Sequence, residues 1–492
     1  MSEFYHGVKT LEIPTGIVPP QKSMSAFTVV FGCAPIHRLP EAEQEKVKPG
    51  TLALLFGMAE AGARMGIDVQ RDDFTHWTLS EDTYCRFVLF NVAPVVYANL
   101  FDPAVHRKTV TSETVTLVAG KGKLAHADLI GKATISPENN GEAYVPDVDY
   151  HLDALTGTIT VLEDGALESV TTVQASYVYA APEMVTDAEC IGGYDVATGK
   201  ETGLSLIDRV YPQFREVPTI AIAPKFSENP AVAAILRTKI TMQGGIGYHK
   251  GIAIADVPSD GDKGVRLYTD VPAYKQKNNL AVEGLYLCWP KIRLGDKVFR
   301  LSTQAASVLA QVDAARNGIP FASPSNKNLQ MDSAVVDGHE VYLDHPRITY
   351  LNSQGIATVT NRSQGWKLWG NRMACYPDNT DPKDSFITGR RMMCWYGNRL
   401  TNTWWKNLDD PMTRRLAETI TNSEQCELNA LTSGGQLHGG RISLLEEENP
   451  ITDLMDGQIV FHVYLGLIPP TERLFFNLEY DPYYIRELFG SN

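Results

Sequence analysis

The chain has 492 residues, of which 43% are apolar, and its 44 Lys plus Arg face 58 Asp plus Glu. That apolar share excludes wholesale disorder, and the length implies about two to four domains. A net charge of −14 lacks the field that draws a phosphate backbone, so no direct nucleic-acid partner is expected.

Residues 1–24 read as an N-terminal arm, with a short strand over 7–14 and an exit marked by Pro19 and Pro20. An apolar strand follows over 27–31. Helical spacing of Leu52, Leu55, Met58 and Ala59 predicts a helix over 51–65. Another helix fits 80–89 and a buried strand fits 95–100, so 25–105 forms the first part of an α/β core. The composition turns strand-like at His106. Val173, Ala175, Tyr177 and Tyr179 alternate with Thr172, Gln174 and Ser176, as in a half-exposed antiparallel strand. Residues 106–182 therefore read as a β-rich insertion domain.

The core resumes over 183–350. Strands are expected at 217–223, 251–255 and 284–288. One helix is capped by Ser227 with Pro230 in its first turn, and another starts at Ser302. Strand–helix alternation predicts a partly parallel sheet. Residues 351–457 form a C-terminal core domain. It holds a helix over 386–405, a second opened by Asp410 and Pro411, and a strand over 441–445. The last segment, 458–492, carries two strands and an arm. Ile459, Phe461, Val463, Leu465 and Leu467 share one face over 458–467, and Leu474, Phe476, Leu478 and Tyr480 share another over 472–480. The fold class is mixed α/β and α+β, multidomain, with an antiparallel insertion and extended terminal strands.

The seven cysteines (Cys33, Cys85, Cys190, Cys288, Cys375, Cys394 and Cys426) include no C-x-x-C pair. They read as reduced thiols and not as a disulfide framework. No signal peptide is expected, since Met1 to His6 lacks a basic region followed by an apolar one. The apolar run 87–101 is short and interrupted by Asn91 and Asn99, so membrane insertion is not expected either. A soluble protein made in the cytoplasm is the resulting expectation.

Candidate chemistry is sparse. Gly244-Gly245-Ile246-Gly247 precedes a strand, the wrong context for a phosphate loop. Asp256, Asp260 and Asp262 crowd the loop after a core strand. With His249 they sustain one alternative, a cytosolic α/β enzyme with an acidic site, although Pro258 and Gly261 favour a solvated turn. His339, Asp344 and His345 match no metal-binding spacing. No catalytic residue, metal or cofactor is assigned. Trp366 and Trp369, beside Gly370, Asn371 and Arg372, suit either a binding platform or an aromatic plug closing a core; the plug is favoured. A surface-binding role for 106–182 is a further alternative.

The chain ends are the sharpest oddity. A strand rich in Phe, Val and Leu at a terminus is an edge hazard unless it is paired. The pairing partner is either this chain or a neighbouring copy completed by strand donation.

At this point the residues resemble a family, the sheath subunits of contractile phage tails and tail-like bacteriocins. His6-Gly7-Val8 with Leu11-Glu12-Ile13, then Val29 to Pro35, is similar to the family's opening arm and first core strand. Ala305-Ala306 through Asp313, Arg316, Gly318 and Ser323-Pro324-Ser325-Asn326 resembles its helix and Pro-Asn loop. Leu351-Asn352, Gly355-Ile356 and Trp366 to Arg372 resemble its Trp-Gly-Asn-Arg stretch. Leu454, Gly457, the alternating strand to Leu467, Pro469-Pro470-Thr471-Glu472 and Leu474 resemble its C-terminal arm. Residues 106–182 depart from the minimal pattern and are similar to the insertions of larger sheath subunits.

The resemblance implies a non-enzymatic part of a virion tail or tail-like particle, assembled in the host cytoplasm. Copies would stack as helically arranged, six-fold rings around an inner tail tube, bounded by a baseplate and a tail terminator. Arms adding strands to neighbouring subunits would hold the mesh while the sheath contracts and drives the tube through an envelope. It also implies roles for residues. Val8, Leu11 and Ile13 would lie in the N-terminal arm; Phe461, Val463 and Leu465 in a receiving strand; and Leu474, Phe476 and Leu478 in the second terminal strand. Which of the last two strands is donated stays open. Arg390, Arg391, Arg414 and Arg415 on the late helices are candidates to face an acidic tube, and solvated helix faces explain the same arginines.

Overall fold

The computed structural model describes residues 24–137, 141–197, 199–245, 247–362 and 364–489. The expected arm residues Val8, Leu11 and Ile13 lie outside them.

Short segments build one nine-stranded mixed sheet, whose central strands are apolar and buried on both faces. Its parallel centre runs in the order Val95–Asn99, Thr28–Gly32, Ile220–Ile222, Ile252–Asp256, Leu285–Cys288, Ile356–Arg362. Strands this apolar on both faces need helices as cover, which is why they read as near-continuous Val, Ile and Ala runs. Helix α1 (Leu301–Ala314) supplies part of that cover, burying Ala305, Val308 and Leu309. Antiparallel strands flank the parallel centre: Ala53–Leu55 pairs with Val95–Asn99 on one side. On the other, Ile356–Arg362 turns back into Gly365–Trp369, which pairs with Lys327–Asn328. The expected mixed α/β architecture is present.

Several local expectations are corrected. The helix expected over 51–65 splits into strand Ala53–Leu55 and helix Met58–Met65, because Leu54 pairs across the sheet with Val96. Ser227 lies in a short 3-10 turn. The following helix, Pro230–Thr241, is capped by Asn229, whose side chain accepts from the Ala231 N–H at 3.0 Å. Pro230 at the first helical position loses only an N–H that had no intrahelical partner.

Residues 106–182 contain two three-stranded antiparallel sheets. One orders Arg107–Thr116, Thr172–Ala180 and Thr134–Ser136; the other orders Lys121–Lys123, Thr158–Val161 and Tyr150–Asp153. Val115, Ile135, Tyr150, Ile159, Val173 and Tyr177 form a cluster of their own, separate from the main core. Asp128 docks this unit. Its Oδ1 accepts from Arg38 Nε at 3.0 Å and Nη2 at 2.7 Å, and its Oδ2 accepts from Trp77 Nε1 at 3.2 Å. Burial raises the Asp128 carboxyl, but the His37 and Arg38 contacts outweigh it and hold it below its ordinary value.

The last third pairs α2 (Ile387–Trp404) with α3 (Arg414–Ser433). Helix α3 does not open at Asp410 and Pro411, as expected. Asp410 accepts from Asn407 Nδ2 at 2.9 Å, Asp409 has φ +67°, and Thr413 is the cap, accepting from the Leu416 N–H at 3.2 Å. A buried polar set fastens the two helices. Glu424 accepts from Tyr396 OH at 2.9 Å and Trp404 Nε1 at 2.7 Å, and pairs with Arg399.

Candidate assembly interface

The C-terminal sheet is small: Gly439–Ser443 pairs antiparallel with His462–Gly466, placing Ile442 opposite Val463 and Gly440 opposite Leu465. Alternation turns Phe461, Val463, Leu465 and Leu467 towards Met392, Trp395, Leu428 and Leu431, against which they are partly buried. The strand therefore belongs to the C-terminal domain, and the exposed arm starts after it. Two-stranded sheets leave each strand one edge with unmade main-chain bonds, and among the described residues no third strand joins this one.

The second terminal strand does not form among the described residues. Over 472–480 no residue pairs with a strand among the described residues. The side chains that alternation assigned to one buried face are in the open: Leu474 is 73% exposed, Phe476 82% and Leu478 96%, with Phe475 at 84% on the other parity. Alternation had marked a pleat; among the described residues nothing pairs with it or buries it. An exposed apolar run of this kind signals an interaction site.

The four arginines separate. Arg391 is buried and pairs with Asp313, and Arg390 reaches Asp384 at 2.9 Å. Arg391 is thereby removed as a tube contact, because its guanidinium is spent inside the fold. Arg414 and Arg415 remain exposed, with Arg414 Nε 2.7 Å from Glu418 Oε1.

The tryptophan motif is structural. Trp369 ends the strand Gly365–Trp369, and Gly370 follows with φ +140° at a point where a Cβ would lie 2.9 Å from the Ala357 Cα. The Gly370 carbonyl accepts from Tyr286 OH at 2.7 Å, and the Asn371 carbonyl accepts from the Ile387 N–H at 3.0 Å. The motif thus seats the start of α2. Trp366 packs partly buried against the main core. Arg372 leaves the motif and turns towards the last segment, where its Nε and Nη2 each lie 2.7 Å from Glu472. Sequence reading placed Arg372 in a core motif and missed this link; a lone Glu one hundred residues onward gives no local signal.

The acidic-loop residues do not converge. Asp256 is buried and caps α1, accepting from the Ser302 N–H at 2.9 Å and from its hydroxyl; burial pushes its carboxyl up to about 7. Asp260 pairs with Lys291 at 2.8 Å, and His249 Nε2 lies 2.8 Å from Asn402 Oδ1. Asp344 caps the helix His345–Ser353, whose His345 contacts Arg362 at 3.0 Å, while His339 sits exposed in a two-residue strand. Among the described residues no three His, Cys, Asp or Glu side chains gather as a metal site, and no helix is long and apolar enough to cross a membrane.

Comparison with known proteins supplies the deciding observation. The chain is 28% identical to the tail sheath protein of Burkholderia phage BcepMu over 503 aligned positions, covering 100% of both chains. The chain is a homologue of phage tail sheath proteins. A family model described as "Protein of unknown function" matches residues 67–188. In fold, the chain is similar to the contracted sheath complex of PVC, an extracellular contractile injection system (TM-score 0.57, 12% identity, 98% of this chain and 99% of the other). It is also similar to a chain of the anti-feeding prophage baseplate, six-fold symmetrised (TM-score 0.53, 12% identity, 97% and 99%). At that identity the likeness is one of fold.

Proposed function

We propose that this chain is the repeating subunit of a contractile tail sheath, which polymerises helically around an inner tail tube and shortens to drive the tube through a bacterial envelope. The end-to-end match to a phage tail sheath protein carries the reading. The exposed run Leu474, Phe475, Phe476 and Leu478 supports it physically, because each such side chain gains about 1.5–3 kcal/mol when a neighbouring copy buries it. Main-chain pairing of that segment along a free sheet edge adds register. A donated, non-reciprocal contact propagates into a helix and does not close into a dimer.

In this reading the partners are further copies in six-fold rings, the inner tube, the baseplate and the tail terminator, and the site is the tail of a virion or tail-like particle after assembly in the host cytoplasm. Val8, Leu11 and Ile13 belong to the N-terminal arm, and the free edge beside Phe461, Val463 and Leu465 is the receiving strand for the 474–480 segment of a neighbour. Arg414 and Arg415 on the exposed face of α3 are the tube contacts. Contraction repacks rigid domains while the strand links persist, a bistable interface change. Negative-stain electron microscopy of the purified full-length chain tests the reading. Tubes or stacked rings are expected, and a monomer that stays monomeric at high concentration overturns it.

A further inference from the structure

Ser25, the second described residue, and Glu472, at the start of the exposed C-terminal segment, both reach residues at the start of the same helix or just ahead of it. At the N-terminal side, Ser25 sits just ahead of the strand Thr28–Gly32 and is buried. Its carbonyl accepts from Arg391 Nη2 at 2.9 Å and from Thr219 Oγ1 at 2.8 Å, and its hydroxyl donates to Asp313 Oδ2 at 2.5 Å. Asp313, near the end of α1, also pairs with Arg391, in the early part of α2. Three distant pieces of chain thus meet around one buried guanidinium.

At the C-terminal side, Arg372 holds Glu472 through two parallel bonds of 2.7 Å, the geometry that gives arginine–carboxylate pairs their directionality. Its third nitrogen reaches Ser385 Oγ at 3.0 Å, and its guanidinium lies 3.6 Å from the centre of the Phe386 ring, the capping residue of α2. The same guanidinium lies 4.4 Å from the centre of the Tyr376 ring. Beyond this point the apolar side chains from Leu474 to Ile485 are exposed.

We infer that the start of α2 is a tie-bar between the two arms, with Arg391–Asp313–Ser25 and Arg372–Glu472 as the clamps at their roots. This rests on the reading that the arms link subunits. A pull on an unclamped arm peels main-chain bonds from the end, one after another. A clamped root instead delivers the load to α1, α2 and the sheet together. The buried Arg391–Asp313 pair also stabilises the free monomer, whereas the Arg372–Glu472 pair holds a segment whose following apolar side chains are exposed, so its loss shows mainly under tension.

The test compares wild type with Glu472→Gln and Ser25→Ala, two changes that leave the buried Arg391–Asp313 pair intact. Monomer melting temperatures and the fragmentation of assembled sheaths in urea, below the monomer's unfolding midpoint, are measured together. Nearly unchanged monomer melting with about fivefold faster fragmentation is the expected result for Glu472→Gln; Ser25→Ala, which removes a buried hydrogen bond to Asp313, is expected to lower monomer melting and to give a smaller increase in fragmentation. A charge exchange, Arg372→Glu with Glu472→Arg, restores part of the resistance. Wild-type sheaths matched by Glu472→Gln sheaths overturn the tie-bar alone. A loss confined to monomer melting also overturns it, since the pair is then only fold-stabilising. Wild-type protein that forms no polymer overturns the sheath reading and the tie-bar with it.

Discussion

The insertion over 106–182 and the segment after residue 467 both stand outside the main sheet, and both show alternating apolar residues. Their fates are opposite. In the insertion, Arg107–Thr116 finds Thr172–Ala180 across a long antiparallel ladder, and Val115, Ile135, Ile159 and Val173 close a core of their own. In the terminal segment, Leu474, Phe476 and Leu478 meet no strand among the described residues and face solvent. Period-2 patterning specifies which side chains share a face; it does not say which chain supplies the partner. A region that completes itself closes a core; one that does not leaves its apolar side chains for a partner to cover.

Removing the incomplete region gives the largest expected effect. Deletion of 473–492 is expected to abolish polymers in electron micrographs while the monomer keeps its melting transition, because the described apolar side chains it removes, Leu474 to Ile485, are exposed. Deletion of 458–492 is expected to destabilise the monomer as well, since it strips Phe461, Val463 and Leu465 from the C-terminal core. Equal melting of the two truncations would erase the boundary drawn here between domain and arm.

Damage to the self-completing region comes next. Ile159→Ala, at a fully buried site, is expected to cost about 2–5 kcal/mol, read by thermal unfolding of the insertion with the main core still folded.

The docking of that region is weaker. Asp128→Ala is expected to cost about 2 kcal/mol and to raise hydrogen exchange at the junction. Because the folded Asp128 carboxyl is held below its unfolded value, its contribution is present above about pH 4. It is lost as the pH falls through the depressed folded value, so acid titration of junction exchange should track wild type and be flat in the variant.

The smallest effect concerns exposed charge. Arg414→Glu with Arg415→Glu is expected to change monomer stability by less than about 0.5 kcal/mol yet weaken co-assembly on the tube. The difference should fade at high salt, where surface charges are screened.

Much of the main sheet was legible because its strands are short, apolar and bounded by turns. The strands at 95–99, 252–256 and 285–288 fall where local composition places them. Helix starts were less legible. Ser227 and Asp410 have the side chains of caps, but Asn229 and Thr413 occupy the positions where the chain enters the helix. The arginines show the same limit: Arg390, Arg391, Arg414 and Arg415 look alike along the chain, and only Arg391 is enclosed by Asp313 and Ser25.

By itself, the sequence determined the pattern: apolar strands for a partly parallel sheet, an alternating β-rich insertion and apolar chain ends, because periodicity is a relation between near neighbours. Only the tertiary structure decided which alternating segments are paired, which arginine is buried and which distant residues meet. Ser25 and Asp313 lie 288 positions apart, and Arg372 and Glu472 lie 100 apart. No local signal joins such pairs; the packing of α1, α2 and the sheet brings them within hydrogen-bonding distance.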